Sequence, residues 1–234
     1  MENKYLDLLA LFGIGGAHPG GLALTEDLLN EEKITPETYV LDIGCGTGQT
    51  AWHLFHTFGC RVAAVDQHPL MIEKTKKRFE DHLSRVDIIQ GDAENLEFDS
   101  DLFDLVLSES VVSFTSIEKT IGELYRVLKP GGHLLMIEMT AENKLSDSEK
   151  QEVHDIYGVK QVFCENEWKD LLYEKGFTYI EAEDISLAHA AADQQDYSPS
   201  ANIGVEHYDL WVKHAAFISS ADVPIGCRVY RCYK

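Results

Sequence analysis

The stretch Val40-Leu41-Asp42-Ile43-Gly44-Cys45-Gly46-Thr47-Gly48 constrains this chain more than any other. A short apolar run holding an acid is followed by glycine at every second position, then by a helix-like pattern. That order predicts a buried strand, a tight turn and a helix N-terminus whose backbone N–H groups are free to hold a ligand. The dinucleotide fingerprint G-x-G-x-x-G needs its third glycine where this chain has Gln49. Asp42 also sets a carboxylate near the turn that would receive a pyrophosphate, and like charges repel. A ligand with an ammonium group and no phosphate suits such a turn better.

Strand-like and helix-like segments alternate from residue 38 to about 138, which predicts a parallel sheet covered by helices. Strands are expected to end at 40–42 and to run over 61–66, 85–90, 102–108 and 133–139. Helices are expected over 47–58 and from Pro69, the latter with Ile72, Thr75, Lys76, Phe79 and Leu83 at helical spacing. Thr115 with Glu118, and Ser146 with Glu149, read as capping boxes. The first opens a helix burying Ile117, Ile121, Leu124 and Leu128, stopped by Pro130-Gly131-Gly132. Trp168, Leu171 and Leu172 mark a helix ending at Gly176. Strands at 177–185 and 227–233 are separated by a polar stretch at 190–201 and a helical stripe of Val205, Tyr208, Trp211, Val212, Ala215 and Ile218.

At its glycine turn the chain resembles the class I S-adenosylmethionine-dependent methyltransferases, whose first motif reads acid-x-G-x-G-x-G. The resemblance covers about residues 38–140. It implies an α/β fold with a doubly wound, mostly parallel seven-stranded sheet in one domain. Residues 1–36 would form an N-terminal helical lid, 37–140 the cofactor-binding core, and 141–234 a C-terminal part. An insertion at about 186–224 would separate two strands that usually form a hairpin. The implied cofactor is S-adenosylmethionine, with S-adenosylhomocysteine as product. Gly44, Cys45 and Gly46 would pass under its methionine part, with Asp42 near the amino group or bracing the loop. Asp66, 20 residues after Gly46, would accept the ribose hydroxyls or cap the next helix, with Gln67 sharing the role. Met71 would pack on the adenine or in the core. Asp92 and Ala93 would meet the adenine edge, unless Asp92 only makes an Asx turn. Ser108 would lie at the strand end facing the transferred methyl.

Catalytic residues are less legible. Glu109, next to Ser108, is a candidate base, substrate-orienting group or lid contact. His18, in His18-Pro19-Gly20-Gly21, is a candidate for closing over the site on a flexible segment. The (Asn/Asp)-Pro-Pro-(Tyr/Phe) motif of nucleic-acid amino methyltransferases is absent, and no ligand set for a catalytic metal assembles. The expected reaction is transfer of a methyl group to a small-molecule acceptor by in-line displacement. Two alternatives remain: a NAD-dependent oxidoreductase, and a non-catalytic cofactor- or partner-binding protein of the same fold. Arsenite methylation would need several thiols in one pocket, and the five cysteines are scattered.

A formal charge of −20 disfavours nucleic-acid partners. The basic run Lys74, Lys76, Lys77 and Arg78 reads as a solvated helix face. No apolar run is long enough to cross a membrane, and Met1-Glu2-Asn3-Lys4 does not open a secretory signal, so a cytoplasmic location is expected. The oligomeric state is not legible.

Overall fold

A computed structural model of the protein describes residues 3–185, 196–201, 203–220 and 225–234. The chain opens with two helices, α1 (Lys4–Phe12) and α2 (Gly21–Glu31), joined through a two-residue strand β1 (Ile14–Gly15). The alternating core follows: β2 (Tyr39–Ile43), α3 (Gln49–His53), β3 (Arg61–Asp66), α4 (Pro69–Arg78), β4 (Val86–Gln90), β5 (Phe103–Glu109), α5 (Ile117–Val127) and β6 (Leu128–Ala141). Helices α6 (Asp147–Tyr157) and α7 (Glu165–Lys175) lead to β7 (Tyr179–Asp184), β8 (Asp196–Tyr197), α8 (Val205–Ile218) and β9 (Ile225–Tyr233).

Seven strands form one sheet in the order β4-β3-β2-β5-β6-β9-β7. The first five pair in parallel, and β9 runs antiparallel between β6 and β7. This is the expected doubly wound fold, with the order reversing at β2, where the glycine turn leaves the sheet.

Side-chain alternation along the strands sends neighbours to opposite faces. Leu41, Ile43 and Val106 join Ile121, Leu124 and Trp168 under α5 and α7. Val40, Leu105 and Leu107 join Leu29, Leu54 and Phe79 on the other face. Cys232 and Cys227, five residues apart on β9, likewise pack on different faces.

Some local expectations are corrected. The helix after the glycine turn is α-helical only to His53, then a π-helical turn over Leu54–Phe58. Helix α4 ends at Arg78, and Leu83 is exposed rather than on its buried stripe. Thr115 and Glu118 form no capping box. Ser116 is the N-cap, while the Thr115 hydroxyl donates to the Val112 carbonyl at 2.7 Å. Leu128 starts β6 instead of ending α5. The Ser146–Glu149 box forms as expected. Helix α8 exists, but Val205 and Val212 of its expected stripe face outward, Tyr208 and Ile218 are about half exposed, the first against Phe12 and the second at the cavity, and Phe217 is the residue it buries. Half of the polar stretch at 190–201, and both ends of the expected insertion at 186–224, lie outside the described residues.

Candidate active site

At the C-terminal ends of β2 to β6 lies a cavity of about 760 Å³, roofed by α1, the 14–21 segment and α8. Ligands in open α/β sheets bind at this position. By residue type the lining of the cavity falls into two parts, a cofactor lobe and an aromatic lobe. One is lined by Gly44, Cys45, Gly46, Asp66, Gln67, Met71, Asp92 and Ala93, all of them expected cofactor contacts. The other is lined by aromatic and apolar side chains that include Tyr5, Phe114, Tyr157, Trp211, His214 and Phe217.

The glycine turn is built differently from a phosphate cradle. Gly44 and Cys45 both donate their N–H to the Val65 carbonyl, at 2.7 and 3.0 Å. The Gly46 N–H goes to Asp66 Oδ2 at 2.9 Å, and the Gly48 N–H to the Cys45 carbonyl at 2.8 Å. These four N–H groups are therefore spent on β3 and on the turn itself. An anion nest needs such donors. At Gly44, φ is +70° and a Cβ would lie 2.2 Å from Val111 Cγ2. At Gly46, φ is +55° and a Cβ would meet nothing within 4 Å, so the backbone there faces open space in the lobe.

Two of the expected contacts stand apart from the others. Asp42 and Ser108 are 2 % and 0 % exposed and stand behind the cavity wall, not on it. Asp42 takes the Ala51 backbone N–H and so braces the N-terminus of α3, while its Oδ2 has no partner. Burial pushes the Asp42 carboxyl well above the usual range, and the charges of Glu109 and Asp66 push it further. Asp66 lines the cavity and accepts the His68 N–H at 2.8 Å, while the N-cap of α4 is His68 itself, whose ring accepts the Leu70 N–H. Burial raises its carboxyl, against the hydrogen bonds from His68 and Gly46. Asp92 makes the Asx turn, accepting the Glu94 N–H at 2.9 Å, and also lines the cavity.

Glu109 and His18 come together, 91 residues apart in sequence. His18 Nε2 lies 3.2 Å from Glu109 Oε1, and its Nδ1 lies 3.1 Å from the Pro19 carbonyl. The Thr25 hydroxyl from α2 donates to Glu109 Oε1, and the Thr50 hydroxyl from α3 donates to Oε2 at 2.7 Å. Burial alone would lower the His18 imidazole, but the Glu109 charge and hydrogen bond outweigh it and hold it above its usual value. Burial alone would raise Glu109. The charge and hydrogen bond of His18, with the two threonine hydroxyls, hold it below its usual value. A charged imidazole with both nitrogens donating has no lone pair for a proton.

A strap from late in the chain fastens onto the glycine turn and α4. Asp196 accepts from Thr47 Oγ1 at 2.8 Å and pairs with Arg78, which also donates to the Thr47 carbonyl at 2.9 Å. Lys74 Nζ reaches the Ser198 carbonyl at 2.5 Å. The basic run on α4 is thus partly a fastening and not wholly a solvated face. Strand β8 pairs with β1 and carries this segment over the glycine turn. The strap was not foreseen from the sequence, whereas an acceptor pocket built by the apolar, aromatic segments at 1–36 and 186–224 was expected, and Tyr5, Trp211 and Phe217 from them line the cavity.

Carboxylates of Asp66, Asp92 and Glu109 reach the cavity wall, and no lysine or arginine lines it among the described residues. Such a site favours a cationic ligand over a phosphorylated one. S-adenosylmethionine, a sulfonium with an ammonium group, fits both the charge and the open backbone at Gly46.

Comparison with known proteins agrees. Residues 40–132 match the family described as a methyltransferase domain. The chain is 36 % identical over 238 residues to the uncharacterized methyltransferase YodH of Bacillus subtilis, covering 99 % of this chain and 100 % of that protein. It is 29 % identical to a sterol 24-C-methyltransferase of Kluyveromyces lactis over 68 % of its own length, which is 44 % of that enzyme. Among solved structures, phosphoethanolamine N-methyltransferase 2 of Haemonchus contortus, in complex with S-adenosyl-L-methionine, superposes with a TM-score of 0.76 at 23 % identity. The match covers 99 % of this chain and 56 % of that one. The (4+2)-cyclase SpnF matches as well in fold, with a TM-score of 0.76 at 20 % identity over 98 % of this chain and 91 % of that one. The chain belongs to the class I S-adenosylmethionine-dependent methyltransferases. It is a methyltransferase whose cofactor is S-adenosylmethionine, and the oxidoreductase alternative is not favoured. No helix among the described residues is long and apolar enough to cross a membrane.

Proposed function

We propose that this enzyme methylates a small, uncharged, largely apolar acceptor held in the aromatic lobe. The carrying observation is the wall of that lobe. Phe114, Tyr157, Trp211 and Phe217 supply apolar surface, and no lysine or arginine among the described lining residues would meet a carboxylate or phosphate. Burying an unpaired anion there would cost several kcal/mol. An acceptor carrying a carrier-protein phosphate or a diphosphate is therefore a poor match, as is nucleic acid.

In this reading Asp66, with Gln67, holds the ribose hydroxyls; Asp92, Ala93 and Met71 hold the adenine; and Gly44, Cys45 and Gly46 form the floor under the methionine part. The cofactor supplies an activated methyl group. Asp42 acts from behind the wall, through the negative field of its neighbours and by fixing α3. Glu109 and His18 serve as the clamp that docks the lid segment onto the core, so that water is excluded and the acceptor is aligned. The clamp replaces the catalytic role considered for them from the sequence. No step calls for a metal. Five free cysteines with no disulfide among them agree with a cytoplasmic location.

The test is an acceptor panel matched in shape: naphthalene-sized compounds bearing hydroxyl, amine, carboxylate or phosphate groups, assayed with radiolabelled S-adenosylmethionine. Label should enter the uncharged members. Turnover confined to the anionic members would refute the reading.

A further inference from the structure

The aromatic lobe holds few groups able to take a proton. The Glu138 carboxylate is spent on the chain after β5: Oε1 accepts the N–H groups of Val111 and Val112 at 3.0 and 2.8 Å, and Oε2 accepts the Ser113 hydroxyl at 2.8 Å. Burial pushes the Cys227 thiol far up, and pushes the Tyr157 phenol up to about 12. His18 and Glu109 are committed to each other. His214 differs. It lines the cavity from α8, and its Nε2 lies 3.5 Å from the Tyr5 hydroxyl of α1. The ionisable groups whose rings touch it are Tyr5 at 5.3 Å and Tyr157 at 5.5 Å between centroids. Among the described residues no carboxylate or cation is paired with it, and the charged residues of its own helix, Glu206, Asp209 and Lys213, form no ion pair with it. Burial holds its imidazole below the usual value, so at neutral pH the ring keeps a basic lone pair.

Tyr5 lines the same cavity as this histidine and as Glu109 and Ser110 at the end of β5. Its ring stacks on Phe114 at 6.0 Å and 6°. Phe114 ends the short turn that follows β5, whose last residue is Glu109. Tyr5 therefore packs between His214 of α8 and the turn that follows β5.

Resting on the methyltransferase reading above, we propose that the acceptor presents a hydroxyl group, and that its proton leaves through Tyr5 to His214. The acceptor hydroxyl donates to Tyr5 Oη while the Tyr5 hydroxyl donates to His214 Nε2. As the carbon–oxygen bond forms and the carbon–sulfur bond of the sulfonium breaks, the acceptor proton moves to Tyr5 Oη and the Tyr5 proton to His214. The products are a methyl ether, a neutral thioether and an imidazolium, which then returns one proton to water. A neutral amine attacks with a lone pair it already has and needs no such relay, which is why the pair points to oxygen.

The experiment uses 4-nitrophenol, whose ionised form absorbs in the visible, bound to the full chain saturated with S-adenosylhomocysteine. In an apolar lobe without a cation, burial raises the ionisation midpoint of a bound phenol. His214 and Tyr5 oppose this in the wild type. The bound midpoint in His214→Asn and in Tyr5→Phe should lie at least about one pH unit above that of the wild type, a tenfold change in ionisation ratio. Affinity for S-adenosylhomocysteine is the folding control for both variants. Methylation of 4-nitrophenol by the wild type should fall on the acid side with a midpoint below the usual imidazole value, and His214→Asn should lose that limb. Equal midpoints in all three proteins would overturn the relay, as would failure of 4-nitrophenol to bind while S-adenosylhomocysteine still does. Failure of the wild type to bind S-adenosylhomocysteine would instead sink the methyltransferase reading itself.

Discussion

Replacing Glu109 with alanine separates a clamp from a catalytic base. The substitution removes the common acceptor of His18, Thr25 and Thr50 and strands an imidazolium whose side chain is 1 % exposed. Removing one partner of a buried pair costs about 3–5 kcal/mol. In a chain of this size each kcal/mol moves Tm by roughly 2–4 °C, so the melt should drop by about 10 °C. The loss is a large share of the roughly 5–15 kcal/mol that holds a domain together. The pH dependence carries the sign. His18 is raised in the fold, so its contribution is complete below the unfolded imidazole value and disappears as pH rises through the folded one. Glu109 is lowered, so its contribution is complete above the unfolded carboxylate value and disappears as pH falls through the folded one. The gap between wild type and Glu109→Ala should be widest near neutrality and narrow on both sides. Urea unfolding across pH, with calorimetric cofactor affinities, measures it. A variant with unchanged stability and cofactor affinity but turnover reduced about a thousandfold would refute the clamp and restore Glu109 as a base.

Gly44→Ala would drive a methyl into Val111 at a φ of +70°, so we expect a loss of about 1–3 kcal/mol and a marked fall in cofactor affinity, read by melting and calorimetry. Asp196→Ala frees Thr47 and Arg78 from the strap, and stopped-flow fluorescence should show faster release of S-adenosylhomocysteine with the fold intact.

The glycine turn and the alternating core were legible because local pattern and tertiary role coincide there. Val40 to Ile43 are all buried and, Asp42 excepted, apolar, Asp66 ends its strand, and Ser146 caps α6 by itself. The site was less legible wherever a partner lies far along the chain. The Val65 carbonyl takes the N–H groups of Gly44 and Cys45, so a motif that reads as an open nest is closed by the neighbouring strand. Asp42 looks like a ligand contact because its position in the motif is right, but the wall of the turn lies in front of it. Helix α8 misled for another reason. Its outward residues Val205 and Val212 are as apolar as its inward ones, so periodicity selects the wrong stripe and hides His214. Arg78 and Lys74 read as solvated because their partners, Asp196 and the Ser198 carbonyl, come more than a hundred residues later.

The central claim is that the cofactor lobe takes a cationic sulfonium cofactor, with Asp66 on its ribose. Calorimetric titration of wild type and Asp66→Ala with S-adenosylmethionine, S-adenosylhomocysteine and NAD tests it most directly. The account predicts saturable binding of both sulfur compounds by the wild type, a loss of at least about tenfold in Asp66→Ala, equivalent to about 1.4 kcal/mol, and no binding of NAD. Binding of NAD alone, or sulfur-compound affinity indifferent to Asp66, would contradict it.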